Sequence, residues 1–378
     1  MKVWVIGRNY PSPGNNRQGS FELEQAKMLG KRGNDITYIA CVLHPFWRIN
    51  GGGFVAFDDA PVKVRAYSGF FTPHMTNPLV QAPYFPKLRN KKWEKLLEKT
   101  EMEIGLPDVI HIHFPLMVMA SEVFKKYHAR GVKIVVTEHW TKVINKNIDA
   151  FEKKEMISFL EFADSYIAVG LSLKRAIEEI TGTNREIFVM PNIINDLFQP
   201  SDMEHEDFYF GLVGRLVTEK QMDKVIRAFA ENFKGQKTIH LIIVGDGSKR
   251  KALEQLTDVL GIQGQVVFKG SLSREDTANV VKTLDCLICF SRYETFGVPV
   301  IEAWACGVPV ITTTADCITD QWDDRMGISV NCDDEEALKK GMTAMLFNKY
   351  DRRNIAEVAH ERYSEDAIYK KMIAIYDR

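Results

Sequence analysis

Short apolar runs alternate with amphipathic stretches along most of the chain, and within the runs nearly every position is apolar. A strand of that kind is buried on both faces, as happens inside a parallel sheet covered by helices on each side. In the first half the pattern predicts strands at KVWVIG, DITYIACVL, VKVRAY, DVIHIHF, VKIVVTEH, SYIAVG and EIFVMP. Helices are predicted at 20–32, 117–130 and 171–180. In the second half strands are predicted at FYFGLVG, TIHLIIVG, GQVVFKG, DCLICFS, GVPVITT and GISVN. Each half is long enough for a doubly wound, Rossmann-like α/β domain, and 378 residues exceed what one hydrophobic core usually organises.

The division is expected near residue 200, in PNIINDLFQPSDMEHEDFY, where Pro191 and Pro200 bracket a strand end and an acidic polar segment follows. That gives domains at 1–200 and 201–363. The last helix, SEDAIYKKMIAIYD, has an N-cap candidate at Ser364; residues 364–378 either close the second domain or pack back on the first. Residues 44–90 break the alternation with HPFWRINGGGF, YSGFFTPHMTNPLVQAPYFP and the basic run KLRNKKWEK, and read as long irregular loops. Their aromatics would line an acceptor site or rest peripherally on a membrane surface, whereas Lys and Arg flanking Trp93 also fit a solvated helix face.

Composition narrows the classes. Hydrophobic residues make up 45% and charged residues 26%, which excludes the low-hydrophobicity signature of disorder. With 49 bases against 50 acids the net charge is -1, which argues against a nucleic-acid partner. The opening MKVWVIGRNYPSPG reads as a first strand and not as a signal peptide, and no run reaches the ~20 apolar residues that span a bilayer. The six Cys lack the density of a disulfide framework, so a cytoplasmic protein is expected. Cys286 and Cys289 form a C-x-x-C on a predicted strand, where the odd offset points them to opposite faces; they read as buried structural thiols.

The densest chemistry lies in SRYETFGVPVIEAWACGVPVI, which reads as a loop at a strand's C-terminal end followed by a short helix, with Pro299 near its start and Gly307 after its end. Free N–H groups at Phe296, Gly297 and Val298 would favour a phosphate or sugar oxygen, and Gly297 allows close approach. Glu294 sits in the loop and Glu302 among the apolar residues of the helix. A carboxylate there needs hydrogen-bond donors: either ribose hydroxyls meet it, or it complements the helix N-terminus. In FYFGLVGRLVTEKQMDKVIRAF a strand ends at Gly214 and a short loop carries Arg215 and Lys220, two cations able to neutralise a departing diphosphate or simply a solvated pair.

VGRLVTEK, IIVGDGSKRKAL, the strand before SRYETFG, and IEAWACGVPVI, in that order, resemble the nucleotide-binding half of the retaining GT-B glycosyltransferases of the group 1, family four type. YPSPGNNRQGSFELEQAKMLGKRGNDITYI, DVIHIHF, VVTEHW and PNIIND resemble the matching segments of the other half. The resemblance implies a GT-B fold, two Rossmann-like domains facing a central cleft. It implies transfer of a hexose-type sugar from a UDP- or GDP-linked donor to a saccharide or lipid-linked acceptor hydroxyl, in the synthesis of a polysaccharide, lipopolysaccharide or other glycoconjugate. A nucleotide-sugar 2-epimerase of the same architecture and a non-catalytic nucleotide-sugar-binding subunit are the alternatives.

Carried over by resemblance, Glu302 holds the ribose, Glu294 the donor sugar's hydroxyls, and the amides from Phe296 to Val298 the sugar and diphosphate. Arg215 and Lys220 clamp the diphosphate beside Gly214. Gly245, Asp246 and Gly247, with Phe268 and Lys269, border the base, and Gly19 lets the first βα loop approach donor or acceptor. His139 resembles the histidine beside the reacting sugar, ahead of His111 and His113, which share a strand face and read as core-edge histidines and not as a metal site. No D-x-D signature stands out, since Asp58-Asp59, Asp323-Asp324 and Asp333-Asp334 read as loop acids, so neither metal nor cofactor is expected. The chain departs from the family at Gln221, where Gly is common, at Asn34-Asp35, and in TTADCITDQW, which lacks the usual glycine-rich turn.

Overall fold

The structure is a computed structural model that describes residues 1–10, 20–45, 53–71, 78–201, 205–314 and 322–378. One compact unit comprises Met1–Val169, Leu173–Met190 and Tyr369–Arg378; the other comprises Pro191–Ile368 with Gly170–Ser172. The division falls at Pro191, ahead of the polar segment around Pro200. Ile194 N–H donates to Tyr363 O (2.9 Å), and Phe198 is fully buried within the second unit.

The first unit runs β1 (Lys2–Gly7), α1 (Ser20–Lys31), β2 (Asp35–Pro45), β3 (Gly53–Asp59), β4 (Val62–Phe71), α2 (Pro78–Ile104), β5 (Val109–His113), α3 (Pro115–Val118), α4 (Ser121–His128), β6 (Lys133–Glu138), α5 (Thr141–Ile144), α6 (Ala150–Phe162), β7 (Ser165–Ala168), α7 (Leu171–Thr181) and β8 (Ile187–Val189). Its sheet has the order β3-β4-β2-β1-β5-β6-β7-β8, parallel throughout except for the antiparallel pair β3 and β4. The central strands are apolar because both faces are covered: Val3 to Ile6 and Ile134 to Val136 have no solvent exposure.

The reading of 44–90 as irregular loops is corrected. Among its described residues, Gly53–Asp59 and Val62–Phe71 form a hairpin, and α2 begins at Pro78. Trp93 is not on a solvated face; it is 1% exposed and tilts against Phe124, ring centroids 5.7 Å apart. The lysines around it misled the pattern because their stems lie along the hairpin. Lys92 Nζ donates to Tyr67 Oη (2.7 Å), and Lys99 Nζ sits 4.6 Å from the Phe54 ring.

The second unit runs β9 (Phe208–Val213), α8 (Met222–Phe233), β10 (Ile239–Val244), α9 (Arg250–Leu260), β11 (Val266–Gly270), α10 (Arg274–Lys282), β12 (Cys286–Cys289), α11 (Val298–Ala305), β13 (Val310–Thr313), β14 (Gly327–Val330), α12 (Glu335–Met345) and α13 (Arg352–Tyr363). Its sheet is all parallel in the order β11-β10-β9-β12-β13-β14. Helix α8 shows how it closes: Met222, Val225, Ile226, Phe229 and Phe233 recur at helical spacing and are buried. Burial of each of the larger side chains contributes about 1.5–3 kcal/mol.

Cys286 and Cys289 are buried free thiols on β12, Cys286 within the core cluster and Cys289 facing the Ser291 hydroxyl (3.6 Å). The chain ends in α14 (Glu365–Tyr376), whose last turns belong to the first unit: Lys133 Nζ donates to Tyr376 O (2.6 Å) and Arg32 lies over the Tyr369 ring.

Candidate donor site and histidine column

In the second unit the chain starts at β9 and winds outward through β10 and β11, then returns to the other side of β9 at β12. Successive connections therefore leave β9 and β12 in opposite directions, and the C-terminal ends of these neighbouring strands are the switch point at which ligands bind in folds of this kind. The loops after β9 and β12 carry the predicted cations and Glu294. Arg292 N–H donates to Glu219 O (2.9 Å), which ties one loop to the other.

Lys220 Nζ donates to Glu294 Oε2, with only 18% and 15% of the two side chains exposed. Burial pulls the ammonium down, but the Glu294 carboxylate outweighs it and holds Lys220 above the ordinary lysine range. Arg215 is exposed and close enough to act electrostatically on Lys220. Gln221 has φ 48, the left-handed region that favours glycine. Its buried side-chain amide compensates by donating to Phe290 O and Cys332 O, both 3.1 Å away, so it braces the ends of β12 and β14 against the Lys220 turn.

Gly214, Gly245 and Gly247 pack at the same edge. A Cβ on Gly245 would lie 1.8 Å from Gly214 O, and one on Gly247 would lie 2.4 Å from Leu216 O. Gly214 N–H donates to Val244 O (3.0 Å), Leu216 N–H to Asp246 O (3.0 Å), and Gly245 N–H to Gly270 O (2.8 Å). The ends of β9, β10 and β11 are thereby stitched together. Phe268 packs on the core, whereas exposed Lys269 lies beside Gly270; Asp246 Oδ2 receives Arg250 Nη1 (3.2 Å).

Gly297, φ 76, caps α11, and Pro299 occupies its first turn. The amides of Phe296, Gly297 and Val298 have no hydrogen-bond partner among the described residues, as helix geometry dictates for a first turn. The Phe296 side chain itself is buried edge-on against Tyr363, centroids 6.0 Å apart, so only its backbone is available. Deeper in the helix, Glu302 is 2% exposed and its Oε1 accepts from Arg274 Nη1 (2.5 Å). Arg274 also stands 5.1 Å from the centre of the Phe198 ring.

In the first unit three histidines form a column at the ends of β5 and β6. His111 is buried with both nitrogens engaged, Nδ1 with Tyr376 Oη and Nε2 with Thr137 Oγ1, each at 2.7 Å. Its ring lies 4.2 Å from that of His113, whose Nδ1 is 2.9 Å from His139 Nε2. Burial, with Arg8 nearby, drives His113 down to about 3; burial, His113 and Arg8 hold His139 well below the usual range. His139 stacks on Phe114 at 4.7 Å, and Arg8 lies 4.0 Å over the same Phe114 ring while pairing with Glu22. Glu138, fully buried, accepts from the amides of His139 and Trp140 (2.9 Å each), and burial raises its carboxyl to about 7.

Residues 194–362 match the family described as glycosyl transferases group 1, and residues 21–196 match glycosyltransferase family 4, so the two together span both units. The chain belongs to the group 1 GT-B glycosyltransferases. It is 26% identical over 391 aligned positions to N-acetyl-alpha-D-glucosaminyl L-malate synthase of Bacillus anthracis, covering 100% of this chain and 96% of that protein. A lipopolysaccharide core biosynthesis glycosyltransferase of Rhizobium meliloti is 30% identical over 55% of this chain and 59% of its own length. Among solved structures, sucrose-phosphate synthase from Thermosynechococcus elongatus superimposes with a TM-score of 0.79 at 18% identity, covering 100% and 98% of the two chains. HepE from Anabaena, in complex with UDP and glucose, gives 0.72 at 17%, covering 100% and 99%.

For this glycosyltransferase the structure brings together Gly214, Lys220, Glu294, Gly245, Gly247 and the α11 amides at one sheet edge, with Arg215 beside them. Gly19 lies outside the described residues, as does most of TTADCITDQW. Of the loop acids, Asp323 pairs with Arg325 (2.6 Å) and Asp333 with Arg292 (3.2 Å). Sequence reasoning missed Arg274 as the partner of Glu302, because an ion pair between residues 28 positions apart leaves no periodic trace. It also passed over His113, which the HIHF run could have flagged only if the placement of His139 opposite it were known. Among the described residues no helix is long and apolar enough to cross a membrane.

Proposed function

We propose that this glycosyltransferase moves a hexose-type sugar from a nucleoside diphosphate donor to an acceptor hydroxyl with retention of the anomeric configuration. The observation that carries the reading is the largely buried Lys220–Glu294 pair, set at the strand-order reversal on the loops that lead to a helix N-terminus whose amides have no partner among the described residues. A helix N-terminus and two cations form a site for a diphosphate. In the proposed step the bond between the anomeric carbon and the phosphate oxygen breaks, and the acceptor oxygen bonds to the same face of that carbon. The acceptor's proton passes to the leaving phosphate.

Lys220 and Arg215 stabilise the charge that builds on the leaving group, supplying locally what a divalent metal supplies elsewhere. Glu294 orients the sugar's hydroxyls once donor binding draws Lys220 toward phosphate, Glu302 with Arg274 receives the ribose, and His139 hydrogen-bonds the reacting sugar. Gly245 to Gly247, Phe268 and Lys269 border the base.

UDP is the first nucleotide to test, given the Anabaena neighbour, and L-malate belongs among the acceptors, given the name of the Bacillus relative. A thermal-shift panel of UDP, GDP, ADP and their sugars identifies the donor, since a ligand that binds the folded state raises apparent stability. Labelled donor is then incubated with saccharide, lipid-linked and small-molecule acceptors, and the anomeric configuration of the product is read by NMR. A glycosylated acceptor with retained configuration is expected; an inverted product, an epimerised donor without acceptor, or no binding of any sugar nucleotide overturns the reading.

A further inference from the structure

We propose that His113 is a positioning residue that locks His139 into the tautomer with its proton on Nδ1, making His139 a neutral hydrogen-bond donor and not a base. That the donated bond goes to the reacting sugar rests on the function proposed above; the tautomer itself does not.

The argument starts from the 2.9 Å contact between His113 Nδ1 and His139 Nε2. One of these nitrogens carries the shared proton and the other accepts it, so each ring's second nitrogen has the complementary state. His113 Nε2 is buried and has no hydrogen-bond partner among the described residues. If His139 donated, His113 Nε2 would be an N–H buried with nothing to receive it; if His113 donates, the same atom is an unmet lone pair. Among buried backbone groups an orphaned N–H is rarer than an under-satisfied acceptor, and we apply the same preference to the imidazole. The bond therefore runs from His113 Nδ1–H to His139 Nε2, and the proton of His139 sits on Nδ1, which has no protein partner among the described residues.

The column is rigid enough to enforce this choice. His113 is backed by the His111 ring, itself held at both nitrogens by Tyr376 of α14 and Thr137 of β6. Phe114 stacks on His139. The titratable groups around the pair are His111 on β5, Glu138 at the end of β6, and Arg8 after β1 with its partner Glu22 on α1. Burial and the Arg8 cation keep both rings unprotonated through neutral pH.

The test uses the full chain with histidine-selective nitrogen-15 labelling, and long-range proton–nitrogen spectra in which the two tautomers differ in nitrogen shift. His139 is assigned by the signal lost in His139→Gln. In the wild-type protein His139 is expected as the Nδ1–H form, unprotonated through the pH range in which an ordinary histidine titrates. His113→Asn, whose amide nitrogen stands where Nδ1 does, preserves that form, whereas His113→Leu gives a mixed or protonated His139. In transfer assays His113→Leu lowers kcat about tenfold or more with KM little changed, as small misplacements of a reacting group do, and His113→Asn recovers most of the loss. A wild-type His139 in the Nε2–H form, or one unaffected in a folded His113→Leu protein, overturns the proposal. Full activity in His139→Ala with the tautomer as expected would instead overturn the role of His139 in transfer.

Discussion

Lys220 and Glu294 meet across the two strands between which the second sheet reverses direction, one on the loop after β9 and the other on the loop after β12, both largely shielded from water. Two charges so placed stabilise little by themselves, because desolvation offsets their attraction, and removing one member is costly. In the proposed function the pair is a charged clamp for the donor, which its shielded position at the strand-order reversal supports.

Lys220→Met removes the cation that Glu294 faces and is expected to lower stability by about 3 kcal/mol. Turnover of the sugar nucleotide falls at least a hundredfold, as for loss of a group that meets transition-state charge, about 10²–10³. Adding Glu294→Gln restores the melting temperature but not turnover. Thermal melts and product assays on the three proteins separate the two effects, and a double variant no more stable than Lys220→Met would rule the account out.

Gln221 holds a left-handed backbone by means of its side-chain amide. Gln221→Gly loses two hydrogen bonds but relieves the backbone, whereas Gln221→Ala loses the bonds and keeps the strain. Urea unfolding is expected to rank the native chain above Gly and Gly above Ala, the last two separated by about 1 kcal/mol. Equal midpoints for Gly and Ala would show that backbone strain plays no part.

Glu138 gives a pH signature. Its carboxyl titrates near 7 in the folded chain against an ordinary 4.5. Between those values the folded state binds more protons than the unfolded one, so the contribution is fully present below about pH 4.5 and is lost as pH rises to 7, by about 3 kcal/mol in all. Glu138→Gln removes this slope while keeping an oxygen for the His139 and Trp140 amides. Denaturation curves from pH 5 to 8 test it; identical slopes in the two proteins would contradict the assignment.

Gly245→Ala drives a methyl group onto the Gly214 carbonyl, displacing the loop that bears Arg215 and Lys220. Nucleotide-dependent stabilisation should disappear. Gly235, also at positive φ but with open space around it, is the control: Gly235→Ala costs about 1 kcal/mol and leaves nucleotide binding intact. A thermal-shift titration with UDP distinguishes them.

The sequence by itself determined most of the strands and the all-parallel second sheet, because continuous apolar runs and glycine or proline at helix ends are local signals; the donor-site candidates it named rest on family resemblance. Its weakest stretch was 44–90. There an antiparallel edge hairpin alternates poorly, and the lysines of α2 cover aromatic rings while reading as solvated charge. Only the tertiary structure decided that Lys220 faces Glu294, that Arg274 meets Glu302 and that His113 touches His139. Each of these contacts joins residues far apart in the chain whose meeting depends on strand order and register. A one-residue slip in register turns a side chain to the other face of the sheet, so no reading of spacing along the chain determines which groups converge.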